Sequence, residues 1–197
     1  MTQYAPGKVT IGFSNPYVAT YTATSGNITF GTPTKLARGV SVSLEPTVSE
    51  DNNFYADDEI AESDSGRFTG GTLKLTVDGL FIAAEKLILG LPEAGEDGWT
   101  AKGDSANPPY VSVGYITKSM SNGEEIWTPT IILKTKFNEI TKEANTTEDE
   151  IDWQTEELTA TIARSENANH DWCWLGPDCT TLADALSKLQ TKLGVKE

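Results

Sequence analysis

Period-two alternation runs through most of this chain. Val40, Val42 and Leu44 alternate with Ser41, Ser43 and Glu45. Leu73, Leu75 and Val77 alternate with Thr72, Lys74 and Thr76, and Val111, Val113 and Tyr115 continue the pattern. Ile131, Leu133 and Phe137 fall around Lys134 and Lys136, while Leu158, Ala160 and Ile162 enclose Thr159 and Thr161. This spacing predicts strands with one buried and one polar face. Such strands suit antiparallel sheets, which tolerate one wet side. Asn-Gly within "SNGE" (121–124) predicts a tight hairpin, and "SGN" (25–27) is expected to join 17–24 to 28–30.

Two segments carry helical spacing instead. "DGLFIAAEKLILGLP" puts Leu80, Ala84, Leu87 and Ile88 on one face, then stops at Gly90 with Pro92 beyond. "TTLADALSKLQTKLG" puts Leu182, Leu186, Leu189 and Leu193 on one stripe, with Thr181 as cap, Asp184 at the third helical position and Gly194 as terminator. This second helix is expected to cover a sheet edge or face. "LPEAGEDGWTAKGDSANPP" and "NEITKEANTTEDEIDWQTEE" read as loops. With no repeat and no clear linker, one domain is expected over residues 1–197, with a long acidic loop at about 46–70 and a C-terminal helical extension at about 165–197.

A chain of 197 residues with 38% hydrophobic content has room for a sizeable core. No apolar run is long enough for a membrane span, and "MTQYAPGKVTIGFSNP" lacks the basic-then-apolar build of a leader, so folding in the cytoplasm is expected. A net charge of −14 argues against holding nucleic acid, whose phosphates are bound mainly by Lys and Arg. It suits a surface to which nucleic acid must not adhere.

Candidate chemistry is sparse. Residues 49–66, "SEDNNFYADDEIAESDSG", hold seven carboxylates. A calcium-loop template started at Asp51 finds oxygen donors at Asp51, Asn53, Asp57, Glu59 and Glu62, but meets Tyr55 at its fifth position and Ala56 where glycine is needed. As catalytic acids the run lacks a supporting partner, so an exposed acidic loop or hairpin is expected. The two cysteines and the one histidine, Cys173, Cys179 and His170, share "NHDWCWLGPDC". With Asp171 or Asp178 they match no paired-cysteine zinc spacing. A Cys nucleophile with His170 as base has little else behind it. A disulfide stays open, although cytoplasmic thiols are normally reduced. The plainer reading is a turn anchored by Trp172 and Trp174. Neither a phosphate-cradling Gly-rich loop nor a Gly-x-Ser-x-Gly elbow is present. No catalytic, cofactor or metal residue is assigned, and the chain is not expected to be an enzyme.

The order of features nevertheless resembles a known family. "IGFSNPYVATY", "KLARGVSVSLEPTVSE" and "FYADDEIAESDSGRFTGGTLKLTVDGL" are followed by "PYVSVGYITKSMSNGEEIWTPTIILKTKF" and "IDWQTEELTATI". This series is similar to the major tail protein, or tail tube protein, of long-tailed, non-contractile phages (siphoviruses) of Gram-positive hosts. The resemblance covers about residues 11–162, and "HDWCWLGPDC" departs from it, so nothing is carried onto those positions.

The resemblance implies a mainly β fold: an antiparallel β-sandwich or barrel-like tail tube fold with a flanking helix and a C-terminal helix. It also implies homo-hexameric rings stacked into a tube, with DNA crossing the lumen during ejection without specific binding. Tape-measure and tail terminator proteins are the implied partners. The implied location is the virion tail, assembled in the host cytoplasm, with no membrane. On this reading the acidic run is an arm that contacts an adjacent subunit or the next ring through Phe54, Tyr55 and Ile60. Lumen carboxylates would lie on the polar faces of 35–50 and 70–78, with Lys74, Lys134 and Lys136 outside or paired. The alternative is a calcium- or carbohydrate-binding β-sandwich module, suggested by the acidic run and by Trp99, Trp127 and Trp153. Those tryptophans are expected to be core or interface residues.

Overall fold

The computed structural model describes residues 7–64, 66–142, 144–146 and 153–194. The strands are β1 (Val9–Thr24), β2 (Asn27–Phe30), β3 (Thr34–Lys35), β4 (Gly39–Val48), β5 (Asn52–Ala56), β6 (Glu59–Asp64), β7 (Phe68–Val77), β8 (Val111–Ser121), β9 (Glu124–Phe137), β10 (Glu156–Ile162) and β11 (Cys173–Leu175). The helices are α1 (Ile82–Leu89) and α2 (Leu182–Lys192). Nine strands join one antiparallel sheet in the order β2-β1-β8-β9-β10-β7-β4, with β3 added to β1 and β11 to β9. The fold is mainly β and antiparallel, as the alternation implied, and β-sandwich-like, as the resemblance implied.

Both hairpin expectations hold. Asn122 and Gly123 take φ of 52° and 83°, and Ser25 and Gly26 take 50° and 81°. These left-handed pairs turn the chain with the twist of the strands they join. In β1 the register shifts between Ser14 and Tyr17, where Asn15 adopts φ 53° beside Pro16. A bulge there absorbs a residue with no N–H to give to the ladder.

The sheet bends around one main core. Leu73, Leu75 and Val77 of β7 and Leu158, Ala160 and Ile162 of β10 meet Val18, Val111, Val113, Tyr115, Ile132 and Phe137 from the other half. Phe13 of β1 lies against β4 so closely that a Cβ on Gly39 would come within 2.2 Å of its ring. Helix α1 closes this core with Ala84, Ile88 and Leu89, and ends at Gly90 in the left-handed region, φ 61°.

Helix α2 makes a second core on the opposite face of β8 and β9, with Ile116, Ile131, Leu133 and Cys179. Strand β8 is therefore buried on both faces from Val111 to Ile116, beyond what its alternation suggested. Gly114 permits the contact, since a Cβ there would stand 2.7 Å from the Leu193 Cδ1 and 2.9 Å from the Leu189 Cδ1. Thr181 caps α2 by accepting from the Asp184 N–H at 3.2 Å, as its sequence implied. The buried stripe is corrected: it runs through Ala185, Leu189 and Leu193, Leu186 is partly buried, and Leu182 is 38% exposed.

Three further expectations change. The stretch 46–70 is not one long loop: β4 continues to Val48, β7 starts at Phe68, and the exposed acidic hairpin, the other expected form, lies between them. The C-terminal extension at 165–197 is helical only in α2 among the described residues, because β11 adds to the sheet first. Ile131, Leu133 and Phe137 do not share a face. Val111 pairs with Thr135 and Val113 with Ile132, so Ser112 stands opposite both Leu133 and Lys134. This bulge reverses the phase of β9. Leu133 faces α2, while Phe137 faces the main core. Val40 is likewise displaced at a register shift in β4 and is 55% exposed.

The bulge is internally satisfied. The Ser112 hydroxyl donates to the Leu133 carbonyl, and the Thr135 hydroxyl donates to the Val111 carbonyl at 2.8 Å, both fully buried. Thr135→Val removes a buried hydrogen bond without changing shape and is expected to cost about 1–2 kcal/mol. Leu189→Ala is expected to cost about 2–5 kcal/mol by leaving a cavity under α2. Denaturant midpoints at unchanged m-value check both.

Candidate functional site

Between β4 and β7 the chain leaves the main sheet as a two-stranded ribbon of β5 and β6. Asp57 and Asp58 form its tip with φ of 53° and 65°. Two successive left-handed residues make the turn that matches strand twist, and Asp tolerates that conformation better than most residues. Tyr55 stands directly opposite Ile60, so these two share a face. Phe54 pairs with Glu62 and, one residue from Tyr55, faces the other side. The structure thus brings together two of the three residues assigned to the arm. Phe54, Tyr55 and Ile60 are 64%, 62% and 55% exposed, and every residue of β6 is exposed.

The ribbon's charge is almost unopposed. Asp51 accepts from the Gly66 N–H at 2.8 Å, and Asp64 meets Arg67 at 3.4 Å. Glu50, Asp57, Asp58, Glu59 and Glu62 have no ion pair among the described residues. A lone two-stranded hairpin is marginal in water, so this ribbon gains from a second surface to lie on. The calcium template does not close around a point. Asp51 sits at the base and Asp57 at the tip, on the order of 15–20 Å apart along extended backbone.

A second surface is the outer face of β10, β7 and β4. Across it run Thr161, Thr72 and Glu45 in one row and Thr159, Lys74 and Ser43 in the next. Lys74 is paired with Glu45 at 3.3 Å. Lys134 is paired with Glu166 and lies over the Tyr110 ring at 4.4 Å; Lys136 lies over the same ring at 5.9 Å. Burial and then the hydrogen bond to Glu166 push the Tyr21 phenol up to about 12.

The cysteine–histidine segment is built for support. Trp172 stacks on Phe68 at 4.6 Å, and Trp174 meets Phe30 edge-on at 6.0 Å. His170, at φ 55°, places Nδ1 3.1 Å from the Ser165 carbonyl oxygen, and Asp171 accepts from the Asn167 amide and the Trp174 indole N–H. Cys173 pairs with Ile132 and Cys179 with Trp127, five positions apart on β9, or about 17 Å, far beyond disulfide reach. Burial pushes the Cys173 thiol up to about 11 and raises that of Cys179 as well, the opposite of an activated nucleophile.

Trp127 is partly buried in the second core, as expected, but Trp99 and Trp153 are 79% and 83% exposed and belong to no core. Among the described residues no three His, Cys, Asp or Glu side chains gather as a metal site, and no helix is long and apolar enough to cross a membrane. Part of the acidic segment 138–157, including residues 147–152, lies outside the described residues.

Sequence reasoning passed over one buried charge. Glu85 of α1 is 4% exposed and receives hydrogen bonds from Lys102 and from Lys142 at 2.8 Å. Lys102 also reaches Glu139 at 3.2 Å. The network straps the 91–110 loop onto α1. A lone Glu among apolar residues in "FIAAEKLIL" was the available signal, but its partners lie too far along the chain to be read. No family model and no curated protein matches this chain.

Burial alone would raise the Glu85 carboxyl, but the two lysines outweigh it and hold it below its ordinary 4.5. A depressed carboxyl stabilises the fold above its unfolded value and loses that contribution as pH falls through the folded value. The melting temperature is therefore expected to fall below about pH 4.5, and Glu85→Gln to flatten that decline while lowering stability at pH 7. Thermal melts from pH 7 to pH 3 check this.

Proposed function

We propose that this chain is a structural protein, the tube-forming subunit of a non-contractile phage tail, which assembles with copies of itself into stacked rings around a lumen for DNA. The observation that carries the reading is the exposed acidic ribbon, with Tyr55 and Ile60 side by side on it. An arm of this kind is poorly suited to a lifelong monomer, since exposed apolar pairs and free strand edges favour association. The outer edge of β4, at one end of the sheet, offers a strand for a neighbour to pair with. The hydroxyl-rich face of β10, β7 and β4 suits a wall past which phosphate must slide, because its Lys74 is already neutralised by Glu45. The net charge of −14 acts in the same direction. Tape-measure and terminator proteins would set the tube's length and end, and hexameric rings are the stoichiometry the resemblance implies.

Negative-stain microscopy of the concentrated protein is expected to show rings or tubes. A strictly monomeric protein that never enters particles overturns the reading. Tyr55→Ser combined with Ile60→Ser is expected to abolish polymerisation while changing monomer stability by no more than about 0.5 kcal/mol, since both side chains are exposed. Sedimentation velocity and a thermal melt of the same sample separate the two effects.

A further inference from the structure

Where α2 passes over β11, the surface opens into a groove of about 620 Å³. Pro129, Ile131, Trp174 and Leu175 give it apolar walls, and Lys188 and Lys192 form a basic rim. Among the described residues no carboxylate lines it. In a chain of net charge −14 that is a local reversal of sign. Lys188 is shared with Asp184 at 2.7 Å, but Lys192 lies over the Trp174 ring at 4.4 Å and has no ion pair among the described residues. Leu175 is 77% exposed.

We propose that this groove receives the β5–β6 ribbon of a second copy of the chain. The two surfaces are complementary in charge and alike in apolar character, and the proposal builds on the assembly reading above. The ribbon presents an aromatic–aliphatic pair, Tyr55 and Ile60, framed by Asp57, Asp58, Glu59 and Glu62. The groove presents apolar walls framed by lysines. An acidic strap bearing an apolar pair fits a basic-rimmed apolar slot, with the charges setting orientation and the apolar pair supplying most of the affinity. The ribbon does not fill the groove of its own chain, because Tyr55, Ile60 and Leu175 all remain exposed. Ribbon into groove is a heterologous contact: each copy donates an arm and accepts one. Such contacts propagate into closed rings or open fibres, not into a self-limited two-fold dimer.

The test uses the full chain in two ways. Leu175→Asp places a carboxylate in the slot without touching a core, and is expected to raise the concentration for half-assembly about tenfold or more at an unchanged monomer melting temperature. In parallel, chains carrying Ile60→Cys are mixed with differently tagged chains carrying Leu175→Cys, assembled and oxidised. A disulfide-linked heterodimer is expected, above the background set by Ile60→Cys mixed with unaltered chain. Normal assembly of Leu175→Asp together with no heterodimer overturns the groove as the docking site and leaves the assembly reading standing. An unaltered chain that stays monomeric at all concentrations overturns both.

Discussion

Strand β9 has to serve two cores with one backbone. Its first half lies between β8 and β11 beneath α2, and its last residues pass to β10 and the main core. Regular alternation cannot make that transfer, because it would keep Phe137 on the same face as Leu133. One extra residue at Leu133–Lys134 resolves the conflict. Backbone groups at the bulge find partners outside the β8–β9 pair: Leu133 N–H meets the Trp172 carbonyl at 3.0 Å, and the Lys134 carbonyl meets Ala163 N–H at 2.9 Å. Ser112 and Thr135 supply the side-chain half. The seating of α2, the position of β11 and the handover to β10 all depend on this one irregularity.

Charge is arranged by region. On the body of the domain several carboxylates are held by lysines or arginine, buried at Glu85 and exposed at Glu166 and Asp78. On the ribbon, most carboxylates stand free among the described residues. The pairs on the body hold loops in place, while the ribbon charges repel one another and keep isolated copies apart until a surface of opposite sign offsets them. Solubility before association and selectivity during it then come from the same residues.

Much of the fold was legible in local pattern. The Asn-Gly turn at 122–123, the Thr181 cap and the Gly90 terminator each declare themselves within a few residues, and the structure agrees with all three. What escaped depended on distant parts. Nothing near Phe137 announces that β9 has changed phase, since the cause is its pairing with β8. Ala185 was not among the leucines of the expected stripe, and its burial follows from the way α2 packs on β8 and β9. The ribbon was half legible. Its acidity and its anchors were plain, but the Asp-Asp tip gives a weaker turn signal than Asn-Gly, and the side on which Phe54 lies follows only from register.

The two thiols fall on opposite sides of the β8–β9 layer, Cys173 against the main core and Cys179 against the α2 core. Burial is the leading cause that raises both thiols; Cys179 is buried and Cys173 partly buried. Each meets a thiol-reactive reagent faster when its own core loosens. The chain therefore carries two built-in timers of opening, one per core. Their separate labelling rates would distinguish a helix that lifts off an intact sheet from a sheet that comes apart as a whole.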